Sequence, residues 1–432
     1  MAQDSTFGAI SKMGELKSRL LFLLGALVIF RLGAHIPVPG IDPMELKKLF
    51  DSQSGGILGM FNMFSGGALS RFTVFALGIM PYISASIIMT LVSSMNAQLK
   101  ELKKEGQAGQ RIITKYTRQL TVVLATFQAL GITIALESQP GLVLDPGLMF
   151  RFTAMITLVS GTMFLVWLGE QITERGIGNG ISMIIFAGIV AGLPSALGNT
   201  LELTRTGAFS IPLVFFLLTA AILVTALVVF VERGQRRITI NYAKRQVGNK
   251  MYGGQSSHLP LKINQAGVIP AIFASALLLL PVTFSNFSFS NNETFLNLSS
   301  YFTQGQPLYM MLYASGIIFF TFFYTSITFN PTETAENLRK YGGFVPGIRP
   351  GESTALYIEN ISMKLTTIGA LYLTLVCLMP EFLIANYPIP FYLGGASILI
   401  VVVVAIDTVT QIQTRLMSSQ YEQLIKKTKF GK

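Results

Sequence analysis

The chain reads as an all-α membrane protein with ten transmembrane helices. Three observations carry this reading. Of 432 residues, 51% are hydrophobic and 12% charged, against roughly 25% charged in soluble domains, and mean hydropathy is +0.56. Ten apolar segments approach the roughly 20 residues that a bilayer demands: 18–36, 72–95, 119–137, 152–170, 177–197, 208–232, 264–287, 307–329, 365–385 and 389–413. Numbering the loops alternately from a cytoplasmic N-terminus puts 26 of the 32 Lys and Arg on the inside. Only Arg31, Lys47, Lys48, Arg71, Arg151 and Arg205 fall elsewhere. That asymmetry follows the positive-inside rule and predicts both termini in the cytoplasm.

The first span has the look of a signal peptide, with Lys12, Lys17 and Arg19 ahead of the apolar run Leu20 to Phe30. No small-residue cleavage site follows, so it is expected to stay as the first helix. Phe61 to Ile83, "FNMFSGGALSRFTVFALGIMPYI", is too apolar for a solvated loop and too broken for a plain span. The second span, "YISASIIMTLVSSM", carries Ser84, Ser86, Thr90, Ser93 and Ser94. Such residues permit close helix packing; they also suit a helix that meets water or a mobile interface. Ahead of the fifth span, "GIGNG" at 176–180 lacks the Lys-Ser/Thr of a phosphate-binding loop and no strand precedes it. Ile79 and Ile83, and again Ile181 and Ile185, lie four apart on one helix face.

Two cytoplasmic segments look built. In 237–264, Ile238, Ile240 and Tyr242 alternate with polar residues ahead of a Gly248-Asn249 turn, which predicts a hairpin. In "FVPGIRPG" at 344–351, Arg349 stands between two Pro-Gly turns. Charge runs often serve topology alone, but these shaped basic loops suit docking of an acidic partner, ribosomal RNA included. The segment 286–305 is a polar outside loop without Lys or Arg.

Several function classes are disfavoured. One cysteine, Cys377, excludes an internal disulfide, and His35 and His258 are far apart, against a metal centre. Ion-coupled carriers keep carboxylates at mid-membrane; here Asp407 is the only one well inside an expected span, with Glu137, Glu170, Glu232 and Glu381 near ends. A secondary transporter of small solutes is the alternative reading. A membrane enzyme finds no nucleophile–base or metal constellation.

The strings "MFNMFSGGALSRFTVFALGIMPYISASI", "TMFLVWLGEQITERGIGNGISMIIFAGIVAGLP" and "FVPGIRPGE" resemble the SecY family, the channel subunits of the Sec protein translocase, from about Leu16 to Tyr421. The resemblance implies two inverted pseudo-symmetric five-helix halves around an hourglass pore, 1–197 and 209–432, hinged at a loop 198–208. The second half would bear a cytoplasmic hairpin about 233–262 and a loop about 330–364. It implies that about 60–72 folds back as a short plug helix, with Phe61, Asn62, Phe64, Gly66, Gly67 and Arg71. Ile79, Ile83, Ile181, Ile185, Ile272 and Ile400 would ring the waist. Ser84, Thr90 and Asn264 would lie at a lateral gate between spans two and three and spans seven and eight. Arg236, Arg237, Lys244, Arg245, Lys250 and Arg349 would dock partners. Implied partners are the SecE and SecG membrane subunits, the SecA ATPase, the translating ribosome with its RNA, signal-sequence-bearing polypeptides and membrane lipid. No cofactor is implied, and the location would be the bacterial cytoplasmic membrane.

Overall fold

Runs of Leu, Ile, Val and Phe with few charges leave the backbone no option in a bilayer but to bond to itself, and the chain accordingly folds as helices. The structure, a computed structural model, describes all residues except 1–13, 53–61, 63–64, 138, 140, 208–209, 243–244, 248–249, 253–255, 289–305, 387–394 and 430–432.

Ten helices of the described residues stand where spans are expected: α1 (Gly14–Gly33), α3 (Met80–Met95), α5 (Gln107–Glu137), α6 (Leu148–Arg175), α7 (Gly180–Arg205), α8 (Ile211–Arg233), α9 (Ile269–Ser288), α10 (Pro307–Thr328), α12 (Glu352–Asn386) and α13 (Gly395–Lys429). Seven are long and apolar enough to cross a membrane; α3 and α9 are shorter apolar helices, and α1 carries Glu15, Lys17, Arg19 and Arg31 among its apolar residues. Three short helices, α2 (Pro43–Ser52), α4 (Ala97–Lys104) and α11 (Pro331–Lys340), lie between them.

The boundaries correct the sequence reading in three places. The second span begins at Met80, not at 72, because Ser65 to Ile79 form a succession of tight turns. Pro81 then sits in the first turn of α3, where its missing N–H costs nothing. The expected loop 198–208 is helical as far as Arg205. The segment 330–364 is not an open loop: α11 occupies its start and α12 begins at Glu352. Asp407 does lie within the tenth span, on α13, where it is exposed with Lys262 Nζ 3.9 Å from its carboxylate. The outer loop 286–305 lies almost wholly outside the described residues.

Ion pairs clamp the hairpin of α5 and α6 at both ends. Arg118 forks onto Glu170, with Nε 2.8 Å from Oε1, and Arg151 Nε donates to Glu137 at 2.6 Å. Bidentate guanidinium–carboxylate geometry fixes orientation as well as distance. Hydroxyls inside the spans mostly bond to the carbonyl one turn back, as Thr121 does to Thr117 and Thr321 to Ile317. The glycine string at 176–180 is a tight turn: Asn179 caps α7, and the Gly178 N–H donates to Gln411 Oε1 of α13 at 2.9 Å. α8 exposes Phe215, Phe216, Ile222, Leu223 and Phe230, a face that suits lipid and no aqueous surface.

Candidate functional site

The segment between α1 and α3 is knotted by side chain–backbone bonds. Asn62 Oδ1 accepts from the Ser70 N–H at 2.8 Å, and its carbonyl accepts from the Gly67 N–H at 2.8 Å. Ser65 Oγ donates to that same carbonyl and accepts from the Leu69 N–H. Gly66 and Gly67 take φ of +68° and +83°, where a Cβ is costly. A Cβ on Gly66 would also lie 3.0 Å from Gly188 Cα of α7 and 3.6 Å from the Phe30 ring of α1. The knot is therefore wedged between the first and fifth spans. Arg31 of α1 donates from Nη1 to the Gly66 carbonyl at 2.9 Å. The sequence reading counted Arg31 only among the charges outside the cytoplasmic set and missed this contact. Downstream, the Val38 N–H bonds to Phe72 O and the Val74 N–H to Ile36 O, so the chain leaving the knot pairs with the chain leaving α1. Arg71 is exposed. Phe61 and Phe64 lie outside the described residues; Asn62 is helical, and Ser65 to Phe72 are turns.

All six isoleucines belong to one apolar core or pack directly on it. Ile79, Ile83, Ile185 and Ile400 are buried, while Ile181 and Ile272 are half-buried. Ile79 caps α3, and its carbonyl accepts from the Ile83 N–H one turn on. Ile181 leans on the fourth span, its Cγ1 lying 3.1 Å from where a Cβ on Gly169 would be. α9, which carries Ile272, packs on α3 and α5; α13, which carries Ile400, packs on α7.

The seam of α9 against α3 and α5 is thus closed in this structure. Ser84 is buried within α3, in line with close packing. Thr90 Oγ1 donates to Ser86 O at 2.7 Å, which satisfies it on its own helix. Asn264 is bonded to the end of α8 and to the turn ahead of α9. Its Nδ2 donates to Glu232 Oε1 at 2.7 Å and to Gly267 O at 3.0 Å, and its Oδ1 accepts from the Gly267 N–H. Glu232, set aside by the sequence reading as a helix-end residue, is buried here.

The basic segments form one body. β1 (Gln235–Tyr242) pairs antiparallel with β4 (Ser256–Lys262), with Ile238 opposite Leu259, which is the expected hairpin. At its tip β2 (Arg245–Val247) pairs with β3 (Lys250–Tyr252). β5 (Gly343–Phe344) adds to the other edge of β1. Ile238, Leu261, Val345 and Ile358 share a small core, so hairpin and Arg349 loop are packed together. Arg236, Arg237 and Arg349 are exposed on this body. The Arg349 carbonyl is braced by Thr354 Oγ1 at 2.8 Å. Arg245 and Lys250 lie on the tip strands, and Lys244 falls outside the described residues.

Comparison with known proteins gives this geometry its family. The SecY family model matches residues 73–409. The protein translocase subunit SecY of Escherichia coli K12 is 58% identical over 420 residues, covering 96% of this chain and 95% of that one. Two solved structures share the fold at TM-score 0.66 over 93% of both chains. One is a SecY whose plug domain stabilises the closed state of the translocation channel and maintains a membrane seal, 19% identical. The other is Sec61 in the canine ribosome-channel complex from the endoplasmic reticulum, 18% identical. The helices therefore share the fold of the SecY and Sec61 channels, and the chain belongs to the SecY family.

Proposed function

We propose that this chain is the protein-conducting subunit of a Sec translocase in a bacterial cytoplasmic membrane, with both termini in the cytoplasm. The observation that carries the proposal is the knot at Ser65 to Phe72, wedged between α1 and α7 beside a core that holds four of the six isoleucines and packs against the other two. An aliphatic waist resists ions by dewetting yet offers a passing chain no hydrogen bonds. That suits a pore which must admit any sequence. The knot caps it from the outer side.

Sideways release of apolar segments follows from the seam where α9 meets α3 and α5. A signal sequence acts there as the ligand that favours the open state. Motion between the halves would be taken up beyond Arg205, where α7 ends. Driving force comes from partners: SecE and SecG in the membrane, and SecA or the translating ribosome on the cytoplasmic face. Arg236, Arg237 and Arg349 would meet the acidic groups or RNA phosphates of those partners. A carrier of small solutes is disfavoured by identity with a translocase subunit over nearly the whole chain.

The test is conductance in planar bilayers of the complex purified with SecE, no substrate present. The parent is expected to stay closed, and a chain lacking 60–72 to leak. Equal tightness of both would refute the plug and the pore reading with it.

A further inference from the structure

The base of α9 hangs on the second half of the chain by a set of contacts that the sequence did not announce. Five residues, Ile263 to Gly267, link β4 to the turn that opens α9. The Ile263 N–H donates to Gly234 O at 3.1 Å. Asn264 binds Glu232 at 2.7 Å, and Ser362 Oγ of α12 donates to Gln265 Oε1 at 2.9 Å. α12 approaches so closely at Gly369 that a Cβ there would lie 3.1 Å from Ile263 O. Every one of these partners lies in α8, its C-terminal junction or α12. The body of α9, by contrast, packs across the seam on α3 and α5.

We infer that Glu232 is a positioning residue for the lateral gate: through Asn264 it fixes the foot of α9 to its own half, so that α9 cannot tilt from the seam alone. This rests on the channel reading above. Glu232 and Asn264 are both buried, where a carboxylate-to-amide bond is worth more than one shared with water. With the foot fixed, opening the seam must carry α8 and α12 along with α9. With the Glu232 bond gone, the foot is held only by the Ile263 and Gln265 contacts, α9 tilts more readily, and the resting gate opens at lower cost. A signal sequence then needs less differential affinity to open it. The Asn264 amide keeps its two bonds to Gly267 in either case, so the turn survives loss of the carboxylate.

The experiment measures export of a preprotein with a defective signal sequence by the SecE-containing complex. Glu232→Leu is expected to raise it roughly tenfold, the equilibrium factor for one charge-assisted hydrogen bond at the low end of its range. Glu232→Gln keeps an acceptor oxygen and is expected to stay within about twofold of the parent. Asn264→Leu is expected to be at least as permissive as Glu232→Leu, because it also removes the two bonds to Gly267, and the double variant to add nothing to Asn264→Leu, because the bond between the two residues is already gone. Yield and detergent stability of each complex report simple misfolding, and Asn264→Leu carries the test if Glu232→Leu fails to assemble. Parental stringency in both single variants, full additivity, or a Gln variant as permissive as Leu would overturn the inference. The chain lacking 60–72 is run alongside: if it relaxes stringency while the Glu232 and Asn264 variants do not, the channel reading stands and the positioning role falls.

Discussion

Replacing Gly66 by alanine tests the seating of the plug at a single atom. Gly66 sits at φ +68°, and an L residue held there costs about 1–2 kcal/mol. The added Cβ would stand 3.0 Å from Gly188 Cα, well inside the roughly 3.5–4.0 Å of normal carbon contact. The atom it meets is helix backbone and cannot turn aside. Relief must come from the plug backing out, and overpacking of this kind costs about 1–3 kcal/mol. Gly67 is the internal control. Its φ of +83° carries the same backbone cost, but nothing lies within 4 Å of its would-be Cβ. Both variants are therefore expected to unseat the plug more often than the parent. Gly66→Ala should do so about tenfold more than Gly67→Ala, since each 1.4 kcal/mol is a factor of about ten. The readout is open probability of single channels in planar bilayers without substrate, with export of a signal-defective preprotein as a second measure. If Gly66→Ala is no leakier than Gly67→Ala, the plug does not rest against α7 in the closed channel and the reasoning fails.

Arg31→Met keeps the apolar stem and removes the donor to Gly66 O; leak is expected to rise several-fold and to add little to that of Gly66→Ala, which a double-variant conductance series would check. Ile83→Ser with Ile185→Ser should hydrate the waist and raise resting conductance, more so when 60–72 is also removed. Arg349→Glu is expected to block SecA-driven export in inverted vesicles while SecE still copurifies, because an exposed side chain on a braced turn costs about 0.5 kcal/mol or less in stability; undiminished export would take Arg349 out of the docking face. Cysteines at 293 and 350, in a Cys377→Ser background, are expected to label from opposite sides of the membrane, and labelling of both from the periplasm would refute the topology.

Spans and hairpin were readable in the residues because their causes are local. An apolar run near 20 residues forms a helix in lipid wherever it lies, and charge in the loops orients it. The alternation of Ile238 and Ile240 put both on the buried face of β1, as period two requires. Span ends were less legible: Gly78, at φ +56°, and Pro81 mark a break in the apolar run, but that the turns reach back past Phe72 depends on the bonds of Phe72 and Val74 to Val38 and Ile36. The family strings supplied the plug, ring and gate assignments that periodicity could not. Contacts between distant positions left no local trace. Arg31 meets Gly66 across 35 residues, Asn264 meets Glu232 across 32, and Gly178 meets Gln411 across 233. Ile238 and Val345 share one small core although the whole of α9 and α10 lies between them in the chain. Hydropathy and spacing register what a residue prefers as neighbours. Which neighbour it obtains depends on how the helices stack, and that is why Arg31 read only as a charge outside the cytoplasmic set and Glu232 as a helix end until each was seen against its partner.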